Sequence, residues 1–370
     1  MSTTTIRVVD EPGEERKVEG RPAHWTSDKP VWFQNPWPSW RTNGKVDGLG
    51  MVRLAVLIRN QPEIPKVGVP VRTPTWGTEE EHQGDVKATW LGHACFLVEF
   101  PFVASLGRGA RVLFDPVFSD RCSPSQAFGP KRYTEMPCKI EDIPEVDAVV
   151  ISHNHYDHLD THTITTLFKR ARPPHIFAPL GNESYFASIG IPKDHAHTLD
   201  WWDARRVEVS GTSFKLICTP AQHWTGRGAF DQGKTLWASW AVEGEGKKVY
   251  FAGDTGYRSV KDDENEDECP VCPAFKEIGE KFDKFDLAMI PIGAYKPRWF
   301  MSTIHCAPQD SVRIFKDVRA KKAIAMHWGT WVLTTEEIME PPKRLAEECT
   351  KIGISDGDFL LSDVGETKFF

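Results

Sequence analysis

Ser152 to Asp160 reads SHNHYDHLD, and three histidines and two aspartates fall within the eight positions from His153 to Asp160. The stretch follows DAVVI, Asp147 to Ile151, a short apolar, β-branched run of the kind that forms a buried strand. Polar residues at the end of such a strand stand where an α/β sheet usually carries its chemistry. His153, His155, Asp157 and His158 make H-x-H-x-D-H. Imidazole and carboxylate are ligands that suit zinc, and two separate pairs can serve two ions. Helix capping would require one polar side chain, not four. The stretch reads as one side of a dinuclear metal site.

Further donors are expected at later strand ends. TPAQHW puts His223 after the apolar run 214–218, FAGDTG puts Asp254 after 249–252, and AIAMHWG puts His327 after 323–326. Each alone would more often be structural. Together, at equivalent places along one chain, they read as one site.

The chain has 370 residues, enough for a large core, and 45 basic against 52 acidic residues give a net charge of −7. That balance argues against a general nucleic-acid binder. No run of eighteen apolar residues is present, and the first twenty residues lack the apolar core of a signal peptide. Eight cysteines without framework spacing point to an intracellular, reducing compartment. Cys269-Pro-Val-Cys272 is a lone CxxC at the end of an acidic loop and is weak as a metal or redox signal.

Three regions are expected. Residues 1–22 are polar and charged and read as a disordered tail; 23–85 form an aromatic, proline-rich arm with an apolar segment and a linker; 86–370 form the compact domain. The arm opens with His24 to Trp40, which holds four tryptophans and three prolines and cannot be a regular helix. Met51 to Arg59 suits either a buried helix or one lying on a membrane surface. Beyond residue 86, hairpins mixed with strand–helix alternation predict an α/β fold of two sheets with helices outside.

The complete donor set, His153, His155, Asp157, His158, His223, Asp254 and His327, resembles the metallo-β-lactamase superfamily. The resemblance implies its αβ/βα sandwich of two mixed sheets flanked by helices. His153, His155 and His223 would hold one zinc, Asp157, His158 and His327 the other, and Asp254 would bridge them. A narrower likeness runs through TWLGHACFLVE, DPVFSDRCSPSQAFGPKRY, LDWW, FAGDTGY, CPAFKEIG and FDLAMIPIGAYKPRWFM, over roughly residues 32 to 368. These are similar to the family of N-acylphosphatidylethanolamine-hydrolysing phospholipases D. That family implies two Zn2+, a phospholipid substrate, release of an N-acylethanolamine and phosphatidic acid, a peripheral membrane contact and a homodimer. The sequence departs from it in an acidic insertion at 259–270 and in Ile304, which precedes His305 where the animal enzyme has glutamine.

On this reading a metal-activated hydroxide attacks phosphorus, so no serine or cysteine nucleophile is needed. Asp254 and His305 are the expected catalytic residues. Tyr156, Trp224, Trp299, Phe300 and Trp328 are expected to contact substrate, although core packing is the default for any one aromatic. His93 is expected to support the site from behind, and Asp160 either orients a ligating imidazole or caps a helix. Two other readings compete: another hydrolase of the same fold, such as a lactonase, and a binding module without activity. The arm and the 51–59 segment favour lipid, and the absence of a lost ligand disfavours the binding module.

Overall fold

The computed structural model describes residues 5–13, 20–41, 62–66, 68–78 and 80–370. The apolar stretch Met51–Arg59 lies outside the described residues. After β1 (Ile6–Glu11), the strands β2 (Lys87–Trp90), β3 (Phe96–Glu99), β4 (Arg111–Phe114), β5 (Ala148–Val150), β6 (His175–Pro179) and β7 (Ala196–Leu199) lie side by side in one sheet. The strands β8 (Ala204–Val209), β9 (Thr212–Thr219), β10 (Ser239–Gly244), β11 (Lys247–Phe251), β12 (Leu287–Pro291), β13 (Ala323–Met326) and β14 (Phe359–Leu360) form the other. The chain ends are exchanged: β1 pairs with β8, and β15 (Thr367–Phe369) pairs with β2.

Each sheet is antiparallel at first and parallel afterwards, from β4 in one and from β11 in the other. Parallel neighbours need a crossover. Between β4 and β5 a long loop with one 3-10 turn at Ile140–Asp142 supplies it, and elsewhere helices do: α1 (Thr161–Phe168) and α2 (Glu183–Ser188) in the first sheet, α3 (Ala274–Phe282), α4 (Arg298–Met301), α5 (Pro308–Asp317) and α6 (Glu340–Ile352) in the second. β5 is covered on both faces, which is why it is a continuous apolar run and does not alternate.

The sheets face each other across a core that includes Trp90, Phe114, Trp240 and Phe251. Phe114 stacks on Phe251 across it, with ring centroids 4.7 Å apart. A second cluster joins Leu113, Val149 and Ile151 to Ile164 and Leu167 of α1, covering the other face of the first sheet. Each such side chain is worth about 1.5–3 kcal/mol on burial. The expected sandwich of two mixed sheets with outer helices is the observed architecture.

The disordered tail expected over residues 1–22 is corrected at Ile6–Glu11. That stretch is a strand, with Ile6 opposite Val209 and Val8 opposite Val207, and both side chains pack on the main core. Its partner lies in the middle of the chain, beyond the reach of local pattern. The described arm residues pack on the domain: Trp37 stacks on Trp201 at 5.3 Å, and Trp25 Nε1 donates to Asp200 Oδ2 at 3.1 Å. No described helix is long and apolar enough to cross a membrane.

Candidate metal centre

Four strand ends meet at one edge of the sandwich. β5 runs into Ser152–Asp160, β9 leads to His223, β11 to Asp254, and β13 to His327. The sheets are tied together just beneath. Trp240 Nε1 donates to the Ile151 carbonyl at 3.0 Å, and the Ala238 amide donates to the Ser152 carbonyl at 2.9 Å. Gly253 makes the close approach possible: its φ is +58°, and a Cβ there would fall 2.6 Å from Ser152 Cβ.

The donors form two sets that share one carboxylate. His155 Nδ1 lies 2.9 Å from His153 Nε2 and 3.4 Å from His223 Nε2. Ligand atoms around a tetrahedral zinc stand about 3.4 Å apart, so this trio is close to a binding geometry already. In the second set Asp157 Oδ2 lies 3.5 Å from His158 Nε2, 3.6 Å from His327 Nε2 and 2.9 Å from His93 Nε2. Asp254 Oδ2 reaches both sets. It lies 3.1 Å from His158 Nε2 and 3.0 Å from His327 Nε2, and 3.8 and 3.9 Å from the Nε2 atoms of His153 and His223.

Neighbouring groups decide which imidazole nitrogen faces inward. His158 Nδ1 donates to Asp115 Oδ2 at 2.7 Å, and His223 Nδ1 donates to the Ile304 carbonyl at 2.8 Å. His153 Nδ1 lies 2.9 Å from Ser152 Oγ, which donates onward to Asp115 Oδ2 at 2.5 Å. In each case Nε2 is left with its lone pair for a cation, the usual way a protein prepares a histidine ligand. His93, Asp115 and His327 all hold φ between +37° and +61°, a strained region for residues with a Cβ. The His327 amide donates to the His93 carbonyl at 3.0 Å and helps to hold that pair.

The residues fit a divalent cation. His158 Nε2, His327 Nε2 and Asp254 Oδ1 are buried without a hydrogen-bond partner. Each such atom costs about 1–3 kcal/mol if left unsatisfied. Burial holds His153 and His223 well below the usual imidazole range and brings His155 down to about 4, so all three are in the neutral, ligating form. Burial alone would raise Asp157 and Asp254, but the surrounding imidazoles hold both carboxyls well below their usual value. Burial likewise opposes charge on His158 and His327. The facing carboxylates prevail, raising His158 well above its usual value and His327 to about 9. Cation binding at these nitrogens releases protons.

A cleft of about 270 Å³ opens over the centre, lined by His155, Tyr156, Asp157, Trp224, Phe300 and His305 among others. His305 Nδ1 is buried without a partner, 3.8 Å from Asp254 Oδ2, and burial lowers the ring to about 3. Tyr156, Trp224 and Phe300, three of the five aromatics singled out in the sequence, line this cleft. Trp299 and Trp328 do not line this cleft. Trp299 packs beside Phe300 in a small apolar cluster, and Trp328 stacks on Trp90 at 5.6 Å. Asp160 takes the capping alternative: its carboxylate accepts from the His162 amide, Ser119 and Thr163. His93 Nε2 lies 2.9 Å from Asp157 Oδ2. Asp115 was missed; the only local signal was its place directly after the apolar run RVLF.

A family model described as the β-lactamase superfamily domain matches residues 110–328. N-acyl-phosphatidylethanolamine-hydrolyzing phospholipase D 1 of Caenorhabditis elegans is 40% identical over 284 residues, 75% of this chain and 74% of that protein. The mitochondrial enzyme of the same name from Saccharomyces cerevisiae is 32% identical over 377 residues, 91% of this chain and 75% of its own length. An isothiocyanate hydrolase from Delia radicum gut bacteria shares the fold, with a TM-score of 0.54 at 18% identity over 77% of this chain and 99% of that one.

Proposed function

The chain belongs to the N-acylphosphatidylethanolamine-hydrolysing phospholipase D family of the β-lactamase superfamily, and from that premise we propose that it is a two-zinc enzyme cleaving N-acylphosphatidylethanolamine to N-acylethanolamine and phosphatidic acid. The chain is a metal-dependent hydrolase of the phosphodiesterase class. The assignment to two zinc ions and a lipid diester is supported by a single arrangement: Asp254 between two histidine sets, under a cleft walled largely by apolar side chains.

His153, His155 and His223 would hold one ion, Asp157, His158 and His327 the other, and Asp254 both. Ions held there supply Lewis acidity toward a phosphoryl oxygen and a water of lowered pKa. The chain's own residues do the rest. Trp224, Phe300, Met301 and Ile304 line the cleft and would carry acyl chain while keeping bulk water away. His305, kept neutral by burial, would hydrogen-bond a substrate oxygen. Cys122 also lines the cleft, but burial pushes its thiol up, away from the thiolate a covalent route needs. Ile304 differs from the animal family, yet its backbone carbonyl orients His223 whatever the side chain.

The test is product analysis by mass spectrometry. Protein of measured metal content is mixed with N-acylphosphatidylethanolamine or plain phosphatidylethanolamine in micelles. Phosphatidic acid and N-acylethanolamine from the first lipid alone are expected. Two bound metals with neither lipid cleaved would overturn the substrate assignment.

An intracellular, peripheral contact with a membrane and a homodimeric assembly belong to the same proposal. Phe128 and Phe230 are 75% and 88% exposed. Phe128 precedes cleft-lining Pro130 by two residues, and Phe230 follows Arg227, whose guanidinium lies 3.9 Å from the Tyr156 ring. Both suit insertion into a bilayer around the cleft mouth. Replacing both by serine is expected to weaken sedimentation with phospholipid vesicles about thirtyfold, since each ring carries about 1 kcal/mol of apolar transfer. Unchanged binding in the double variant would remove these loops from the membrane contact.

A further inference from the structure

We propose that Glu266 is a positioning residue that sets the apolar wall of the cleft and thereby the enzyme's acyl-chain selectivity; the selectivity part rests on the lipid reading above. The segment Asp262–Glu268 is acidic and reads as a solvated loop, but Glu266 turns inward. Its two carboxylate oxygens accept from Nε and Nη2 of Arg298, both at 3.1 Å. Arg298 also donates to the fully buried Asp310 at 2.9 Å, and Asp310 accepts from Arg258 at 2.8 Å. Gln309 Nε2 donates to Glu266 at 2.9 Å. A planar guanidinium held by two carboxylates has one orientation, which a flexible ammonium would not give.

Arg298 is the first residue of α4, and α4 is the cleft wall. The helix has four residues, too few to hold its own direction. Phe300 and Met301 on it, and Ile304 just after it, line the cleft and pack with Trp40, Trp224 and Trp299. The same segment also holds the arm. Glu264 accepts from Arg41 with both oxygens at 2.7 Å, and Ser259 Oγ donates to the Ser39 carbonyl at 2.7 Å. The Val260 amide donates to Ser302 Oγ at 2.8 Å, at the other end of α4. Residues 258–266 thus anchor the arm and both ends of the wall; they follow Asp254 in the chain, but the carboxylate of Glu266 is bonded to Arg298 and Gln309 and not to a metal donor. Without Glu266, Arg298 keeps only Asp310, the Gln309 amide loses its acceptor, and Phe300 and Met301 lose their fixed distance from Trp224.

The experiment compares the full-length metal-loaded enzyme with Glu266→Ala and Glu266→Asp. The substrates are N-acylphosphatidylethanolamine in micelles and aryl phosphodiesters with alkyl chains of roughly four to sixteen carbons. The ratio of kcat/KM for the longest over the shortest chain should fall about tenfold in Glu266→Ala through KM, with turnover of the shortest diester and metal content unchanged. Glu266→Asp, which keeps the carboxylate, should recover most of that ratio. An unchanged ratio in Glu266→Ala, or an equal loss on all chain lengths together with metal, overturns the proposal. If the parent enzyme hydrolyses the diesters but not the micellar lipid, the lipid reading fails, and the diester ratio still decides the role of Glu266.

Discussion

Replacing Asp254 by asparagine is expected to lower phosphodiesterase activity about 1,000-fold and to strip the protein of most of its metal, while circular dichroism remains that of the folded chain. One oxygen, Oδ2, lies 3.0–3.1 Å from the inward nitrogens of His158 and His327 and within 3.9 Å of those of His153 and His223. Among the described residues, no other side chain reaches both sets so closely. Asparagine keeps the shape but removes the charge and turns an NH2 toward ligands that are themselves donors or cation-binding. Removing one partner from a buried charged cluster typically costs about 3–5 kcal/mol, and about 4 kcal/mol corresponds to the stated loss in rate. Metal is counted by plasma mass spectrometry alongside the rate. A variant with two metals and full activity would sink the shared-carboxylate assignment. His155→Ala should behave likewise in rate, because His155 Nδ1 is the point at which His153 and His223 converge.

Asp115→Asn is expected to weaken metal binding and activity about 10–100-fold, the usual effect of losing a group that orients a ligand. The native carboxylate accepts three bonds: from the Ser152 amide at 2.7 Å, from Ser152 Oγ at 2.5 Å and from His158 Nδ1 at 2.7 Å. An amide offers one oxygen and one NH2, so at least one of those donors meets another donor. With the NH2 at the Oδ2 position, His158 loses the partner that fixes its tautomer, and His153 loses it through Ser152. The readout is a competition titration with a chromophoric chelator. Affinity and rate within twofold of the parent would mean that His158 is held by packing alone.

Asp115 also shows where local reading stops. His153, His155, Asp157 and His158 are legible because they sit in one loop, and His223, Asp254 and His327 because each follows an apolar strand that announces itself. Asp115 is 37 residues from Ser152 and reads as a turn residue before a proline. What brings it to the site is register: β4 and β5 are parallel neighbours with Phe114 opposite Val150, so the residues after each strand come out side by side. Register is a property of paired strands, and neither strand carries it alone.

Other differences have the same origin. Trp224 and Trp328 each follow a donor in sequence, yet only Trp224 lines the cleft. Which side the residue after a donor takes is set by what it packs on: Trp328 stacks on Trp90, whereas Trp224 packs beside Phe300 and Trp299. Glu266 is one acid among several in a charged run, and only the approach of Arg298 and Gln309 from a later part of the chain draws it inward. β1 acquires a partner at β8 that no local pattern could name. The sequence by itself determined the donor types, their attachment to strand ends, the two-sheet architecture and the class of chemistry, because these follow from short periodic patterns and from what a metal requires. Tertiary structure alone decided which groups stand behind the donors, which aromatics face the cleft and what holds its wall, because those depend on pairing between segments far apart in the chain.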